Sequence, residues 1–368
     1  MFSRLIKNRF LFNKIFFYPT VAPYRNMAFS KVGFSTVSLC KKSQRNIQLP
    51  SVHNRIHQQH LATAGGICAI LLWSLTIAFT RSISEQLGPI NGATCVYTVA
   101  AIFGIASILR TSELRQRITH LSHAYMLGCG FLFVCYMLLL FLAVGLADNH
   151  NQVLEVGLIN YLWPALMLVL SVPILGNRAN WLLFPGTALA LFGVFIVLTS
   201  GASVDWHSFT NNLARNPAAY LLGLAAALSW ALYSALTRKW AGGREDGAVA
   251  VFLPATALAM FLVSLLVDEP REWSIRVFVE VIILGVATFF AYSLWDNSMR
   301  KGKVIFVAAS SYLIPFFSTV VTCIYLSVPQ TLKLWLGCGI LIVGSILSWL
   351  SVDENIDVKP AQEDDHTP

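Results

Sequence analysis

The amino-acid sequence predicts an all-α membrane protein, with ten transmembrane helices arranged as two inverted five-helix repeats. Three observations predict it. The composition is too apolar for a fold that lives in water, ten long intervals carry no charge, and residues of one half recur in the other at a nearly constant offset.

Of 368 residues, 56% are hydrophobic and only 12% charged, and the mean hydropathy is +0.64. Soluble domains carry roughly a quarter of their residues as Asp, Glu, Lys and Arg, so the surplus apolar surface needs lipid. From residue 56 onward, intervals free of those four residue types run 56–80, 86–109, 118–147, 156–177, 179–204, 216–237, 247–267, 281–295, 304–332 and 334–352. A helix crosses the hydrocarbon core in about 20 residues, whereas a membrane barrel shows alternating strands of roughly ten. Alternation is absent, so each interval is assigned to a helix. Only 281–295 is short, and it reaches spanning length if Glu280 and Asp296 lie near the two interfaces or face a cavity.

The net charge of +8 is local, because residues 1–60 hold ten of the 26 Lys and Arg and no acid. That argues against nucleic acid as a partner, which needs a folded basic face with base-reading groups. All cysteines but Cys40 lie in apolar intervals, without a CxxC pair or nearby histidines. Neither a disulfide framework, a metal site nor a cofactor is expected. The motifs HExxH and GxSxG and a midplane Asp pair are missing, so no catalytic residue is assigned and an embedded enzyme is disfavoured.

Short connections allow basic residues to be compared on the two faces. The connections 110–120, 176–180, 238–246 and 300–303 hold ten Lys and Arg, against five in the opposite set, which places both termini in the cytoplasm. Residues 1–60 read as a basic extension. Lys14 interrupts the apolar run from Phe10 to Tyr18, so this is not a secretory signal. Two readings of it stand: a transit peptide, which would put the chain in an organelle membrane, or a cytoplasmic extension, with Met27 as an alternative start. Residues 61–200 form the first repeat, 216–352 the second, and 353–368 an acidic, solvated tail.

The repeat is carried by two offsets. Shifting by 157 matches Gly66 with Gly223, Trp73 with Trp230, Ala78 with Ala235 and Thr80-Arg81 with Thr237-Arg238. Shifting by 151 matches Val153 with Val304, Tyr161-Leu162-x-Pro164 with Tyr312-Leu313-x-Pro315, Gly186 with Gly337 and Gly193 with Gly344. Five helices per half is an odd number, so the halves insert with opposite orientation. Inverted repeats place a substrate site near the midplane between the halves.

Polar and aromatic residues within the spans are the site candidates, because an amide or hydroxyl in hydrocarbon is costly without a partner or water. The fourth span offers Glu155, Asn160, Tyr161 and Trp163, and Pro164 removes the donor that would satisfy the Asn160 carbonyl, predicting a kink. The sixth offers Trp230 and a face bearing Ser229, Tyr233 and Thr237 at intervals of four. Tyr292, Ser311 and Tyr312, with a second kink at Pro315, come from the eighth and ninth. Trp73, Ser74 and Tyr136 come from the first and third. Together they suggest an aromatic, weakly polar cavity without Lys or Arg, suited to a net-neutral aromatic solute whose ammonium sits over ring faces. Belt or packing roles compete for Trp163 and Trp295. Gly66, Gly157, Gly186, Gly193 and Gly344 are expected to be packing sites, and Asp296 is expected to pair with Arg300.

Leu72-Trp73-Ser74, Leu87-Gly88-Pro89, Phe133-Val134-x-Tyr136 and, most specifically, Glu155-Val-Gly-Leu-Ile-Asn-Tyr-Leu-Trp-Pro164 resemble the drug/metabolite transporter superfamily in its ten-helix, EamA-type form. The similarity runs from about Thr63 to Val352, and is nearest to the bacterial aromatic amino acid exporters. The resemblance implies efflux of Phe, Tyr, Trp and related compounds through a central cavity of a bacterial inner-membrane protein, monomeric or homodimeric. A broader drug or metabolite exporter is the alternative within the superfamily.

Overall fold

The computed structural model describes residues 52–199, 206–244, 247–326 and 332–354. Residues 1–51 and 355–368, where most of the basic extension and the acidic tail fall, lie outside the described residues. In chain order the helices are α1 (Val52–Leu87), α2 (Pro89–Arg110), α3 (Ser112–Thr119), a π-turn (Ala124–Cys129) continuing into α4 (Gly130–Gly145), α5 (His150–Asn160), α6 (Trp163–Leu175) and α7 (Leu183–Leu198). Then follow α8 (Trp206–Arg215), α9 (Pro217–Ala241), α10 (Val249–Ser264), α11 (Ile275–Lys301), α12 (Val304–Ser310), a 3-10 turn (Ser311–Leu313), α13 (Ile314–Leu326) and α14 (Leu332–Leu350).

Six of the described helical stretches are long and apolar enough to cross a bilayer, and three shorter apolar ones stand beside them. With α1 they make ten rods, the fourth assembled from α5 and α6 and the ninth from α12 and α13. α1 begins at Val52, inside the segment read as an extension. A two-residue ribbon, β1 (Arg178–Ala179) against β2 (Val352–Asp353), is the one strand pairing among the described residues. It pairs antiparallel with Arg178 opposite Asp353. The backbone of Asp353 is therefore held by the ribbon although the residue is exposed, and Glu354 is held by its side chain. The Glu354 carboxylate accepts from the first N–H of α12, at Val304 (3.0 Å), and lies 3.9 Å from Arg238.

Rod ends are set by capping chemistry. Asn149, Asn216 and Ser274 accept from backbone N–H groups three residues on, starting α5, α9 and α11, and Pro217 occupies the first turn of α9. The turn into α2 needs a left-handed residue, and Gly88 supplies it at φ 79°. The freed N–H groups of Ile90 and Asn91 are capped from another loop by the carboxylate of Glu269, at 3.1 and 2.8 Å.

The rods pack in pairs that an exchange of rod n with rod n+5 preserves. Rod 1 lies along rod 8 as rod 6 lies along rod 3; rod 1 meets rod 9 as rod 6 meets rod 4; rods 2 and 7 pair, and rods 5 and 10 pair. The last pair is the tightest. Gly186 and Gly193 on α7 face Gly337 and Gly344 on α14, and a Cβ at Gly344 or Gly193 would collide with backbone of Ala190 or Leu341. Lipid supplies no hydrophobic drive between helices, so close backbone approach through small residues provides the packing energy. Gly157 is different from those four: nothing lies within 4 Å of a Cβ there, which removes it from the packing set.

Interlocked loops tie neighbouring rods together at both ends of the bundle. At one end Arg244 donates to the carbonyl of His120, Ser122 to that of Trp240 and Lys303 N–H to Thr63. This is the end that carries the ten basic loop residues. At the other, Glu272 N–H donates to Gln86, Asn216 to Leu146 and Asn149 to Asn212.

Gly344→Ala is expected to cost about 1–3 kcal/mol, because overpacking meets backbone that cannot yield, whereas Gly339→Ala, with open space around it, leaves stability unchanged. Thermal unfolding in detergent compares the two. Burial pushes the Glu354 carboxyl above its usual range, against the pull of Arg238. A raised folded pKa contributes stability that is full below the unfolded pKa of about 4.3 and is lost as pH rises through the folded value. Glu354→Gln keeps the acceptor for Val304 without the charge, so its melting temperature is expected to gain on the native chain as pH rises from 4 to 8.

Candidate functional site

A cavity of about 820 Å³ opens between the halves. Its mouth lies at the end bearing the α1–α2 and α4–α5 turns, among Ser84, Glu85, Pro89, Val144 and Val153. Its depth is walled by Trp73 of α1, Tyr97 of α2, Tyr136 and Met137 of α4, Asn160, Tyr161 and Trp163 of the broken fourth rod, Trp230 of α9, and Thr288 and Tyr292 of α11.

The break in the fourth rod forms part of that wall. Pro164 has no N–H, so the chain leaves α5 through a short turn in which Leu162 N–H donates to Ile159 O (3.0 Å), and regular helix resumes with Leu166 N–H to Leu162 O (2.9 Å). Irregular backbone at membrane depth is tolerated where it is buried in protein or lines a cavity. The turn sets Asn160 and Tyr161 on the cavity wall. The Asn160 amide reaches the Tyr136 hydroxyl, and its Oδ1 is buried without a hydrogen-bond partner. That oxygen is an unsatisfied acceptor on a residue of the cavity wall.

Trp230 is the hub of the aromatic wall. Its ring centroid lies 4.7 Å from Tyr136, 5.6 Å from Tyr292, 5.8 Å from Trp73 and 6.4 Å from Trp163, in tilted or edge-on arrangements. Such geometries are the favoured ones for quadrupolar rings. Above it, the Tyr97 and Tyr292 hydroxyls lie 3.1 Å apart, both within reach of Met137 Sδ. Trp163 and Trp295 are 4% and 0% exposed, so neither sits in an interfacial belt.

Five residues expected at the site lie elsewhere. The Glu155 carboxylate points away from the cavity, accepting from the Tyr220 hydroxyl and, at 3.1–3.3 Å, from the Asn212 amide. Tyr233 donates to Asp296 (3.0 Å) beneath the aromatic wall. Ser74 spends its hydroxyl on the Ile70 carbonyl (2.8 Å) and Ser311 on that of Ala308 (2.5 Å). Tyr312 is fully buried in the rod 9 packing. The physical reason is local. Helical hydroxyls satisfy themselves one turn back, and a carboxylate in a membrane bundle is driven to donors. Conversely Tyr97, Met137, Phe141, Thr288 and Glu85 line the cavity without having been singled out. Tyr97 was accessible to the criterion used for the other rods, being a hydroxyl-bearing ring deep in a charge-free interval. Among the described residues no cluster of His, Cys, Asp and Glu could hold a metal ion.

Paired apolar rods around an aromatic cavity between two repeated halves are the architecture of a multi-pass membrane transporter. More particularly, residues 61–199 and 217–350 each match the model of the EamA-like transporter family, and the chain belongs to that family. It is 33% identical over 291 residues to the aromatic amino acid exporter YddG of Escherichia coli (strain K12), covering 79% of this chain and 97% of the relative. It is 30% identical over 295 residues to the aromatic amino acid exporter YddG of Ancylobacter novellus, covering 78% and 97%. A solved crystal structure superposes with a TM-score of 0.64 at 29% identity, over 79% of this chain and 97% of that one.

Trp230→Ala is expected to cost about 3–5 kcal/mol by emptying the centre of the wall, against under about 1 kcal/mol for Ser311→Ala, whose hydroxyl closes only on its own helix. Parallel thermal unfolding of the two variants measures the difference.

Proposed function

We propose that the protein exports Phe, Tyr and Trp, carrying each solute through the aromatic cavity by alternating access of the two halves. The observation that carries this is the pairing of ring faces at Trp73, Tyr136, Trp230 and Tyr292 with the unsatisfied Asn160 Oδ1. An aromatic side chain stacks on the former, and the ammonium donates to the latter while sitting over a ring. The relatives, named as aromatic amino acid exporters, support the same solute class. In this reading Trp73, Tyr136, Asn160, Tyr161, Trp163, Trp230 and Tyr292 contact substrate, joined by Tyr97 and Thr288.

The positive-inside rule assigns the basic end and both termini to the cytoplasm, so the mouth at Glu85 faces outward in a bacterial inner membrane. The site is walled within one chain. A single copy is therefore the transport unit, whether or not two associate. A broader exporter of the superfamily is the second reading, favoured by a lining with no Lys or Arg among its described residues and Glu85 at its rim, which suit aromatic cations as well.

Efflux of labelled Phe, Tyr and Trp from loaded proteoliposomes, beside a polyamine and a purine, tests both readings. The three amino acids are expected to leave faster than the controls, and Asn160→Ala and Trp163→Ala to slow them about tenfold or more while the protein still inserts. Failure of all three to move sinks the amino acid reading. Unchanged transport in both variants removes the fourth rod from the site.

A further inference from the structure

Directly below the aromatic wall, toward the basic end, the bundle holds a second carboxylate. Asp296 is 1% exposed, and every partner it has comes from a different level of the closure. Its Oδ1 accepts from the hydroxyls of Tyr125 (2.6 Å) and Tyr233 (3.0 Å), and its Oδ2 from Arg300 Nε (2.7 Å). Tyr125 also accepts from the N–H of Ala248 (3.0 Å), and Arg300 Nη1 donates to the carbonyl of Arg244 (2.6 Å). Arg238 donates to the carbonyl of Arg300 (2.9 Å).

These bonds have a direction. Rods 3 and 6, which carry Tyr125 and Tyr233, pack together, and rods 1 and 8, the second carrying Asp296 and Arg300, form the equivalent pair. At the mouth the two pairs stand apart and the cavity opens between them. At the basic end they are bridged through Asp296, with a further bond from Trp295 Nε1 to Ser234 Oγ (3.2 Å). Tyr125 is held on a π-turn, an irregularity that recurs in helices at functional sites.

We infer that the Tyr125 and Tyr233 hydroxyls on Asp296 are the latch that closes the cavity at the basic end, and that it breaks each time the site opens there. The inference rests on the proposed alternating access, though not on the identity of the solute. All oxygens of the latch are satisfied in the closed state and Asp296 keeps Arg300, one turn away on the same helix, when it opens. The Asp296 charge therefore stays paired through the transition, while the phenol, indole and carbonyl bonds that cross between the two pairs are exchanged for water. An ion pair contained in one rod with neutral donors from the other pair separates at far lower cost than an ion pair split between the two.

A native reporter sits at the latch. Cys129 is fully buried where rods 3 and 6 meet, its Sγ 3.6 Å from Thr237 Oγ1 and 4.0 Å from the Tyr233 carbonyl, one turn from Tyr125, and parting of this pair from rod 8 is expected to bring water to it. The full chain in proteoliposomes is treated with a small maleimide, and modification of Cys129 is followed site by site by mass spectrometry. Tyr125→Phe with Tyr233→Phe is expected to raise the rate roughly tenfold, each single variant giving an intermediate rise. An unchanged rate in the double variant overturns the latch. So does a rise that merely tracks a fall in melting temperature, which would mark these bonds as structural. No solute is needed for the measurement, so it stands or falls separately from the efflux assay.

Discussion

Hydrocarbon offers no hydrogen bonds, and that constraint organises this molecule. Each interruption of a rod leaves carbonyls and N–H groups that must be satisfied by protein or water, so interruptions lie where the backbone is buried in protein or lines a cavity. The fourth rod breaks at Tyr161–Leu162 against the cavity, the ninth passes through 3-10 geometry at Ser311–Leu313, and the third begins as a π-turn beside Asp296. The two most deeply buried carboxylates obey the same rule. Glu155 draws a phenol and an amide, and Asp296 draws two phenols and a guanidinium.

The same constraint explains why the cavity is aromatic. A pocket lined by fixed charges would have to neutralise them whenever it is empty, whereas rings and hydroxyls bind through faces and dipoles that cost little between cycles. Trp230 holds the wall together because it meets rings from rods 1, 3, 4 and 8 at once. Its neighbour Tyr233, 4.9 Å away, already belongs to the polar cluster below. Wall and closure thus share one helix, α9, so a movement that repositions the wall reaches the closure without an intermediary.

Charge-free intervals and their offsets made the rods and the repeat legible, since both depend on residue type along the chain. Of the glycines expected to pack, Gly186, Gly193 and Gly344 lie on the two rods that touch most closely. Depth and azimuth within the bundle were less legible. Glu155 and Asn160 lie five residues apart, about 140° around a helix, so a single face cannot present both to the cavity. The stripe Ser229, Tyr233 and Thr237 is a true face of α9, but its lower part meets Asp296 and Cys129 rather than the cavity, while Trp230 beside it forms the wall. Periodicity reports which residues share a side; it does not report what stands opposite.

The repeat itself carries the most pointed consequence, because equivalent residues have unequal surroundings. Trp73 and Trp230, matched at an offset of 157, lie 5.8 Å apart and both wall the cavity, as a pair close to the axis relating the halves should. Asn160 and Tyr161 line the cavity, yet their counterparts Ser311 and Tyr312 are buried in packing. A perfectly symmetric arrangement would give each pair the same environment and could open to both sides or neither. Under the proposed alternating access, unequal environments around like sequences are what one of two states requires when pseudo-two-fold exchange of the halves generates the other. The two broken rods have reason to differ even where their sequences agree: in the state seen here one lines the cavity and the other is buried in packing.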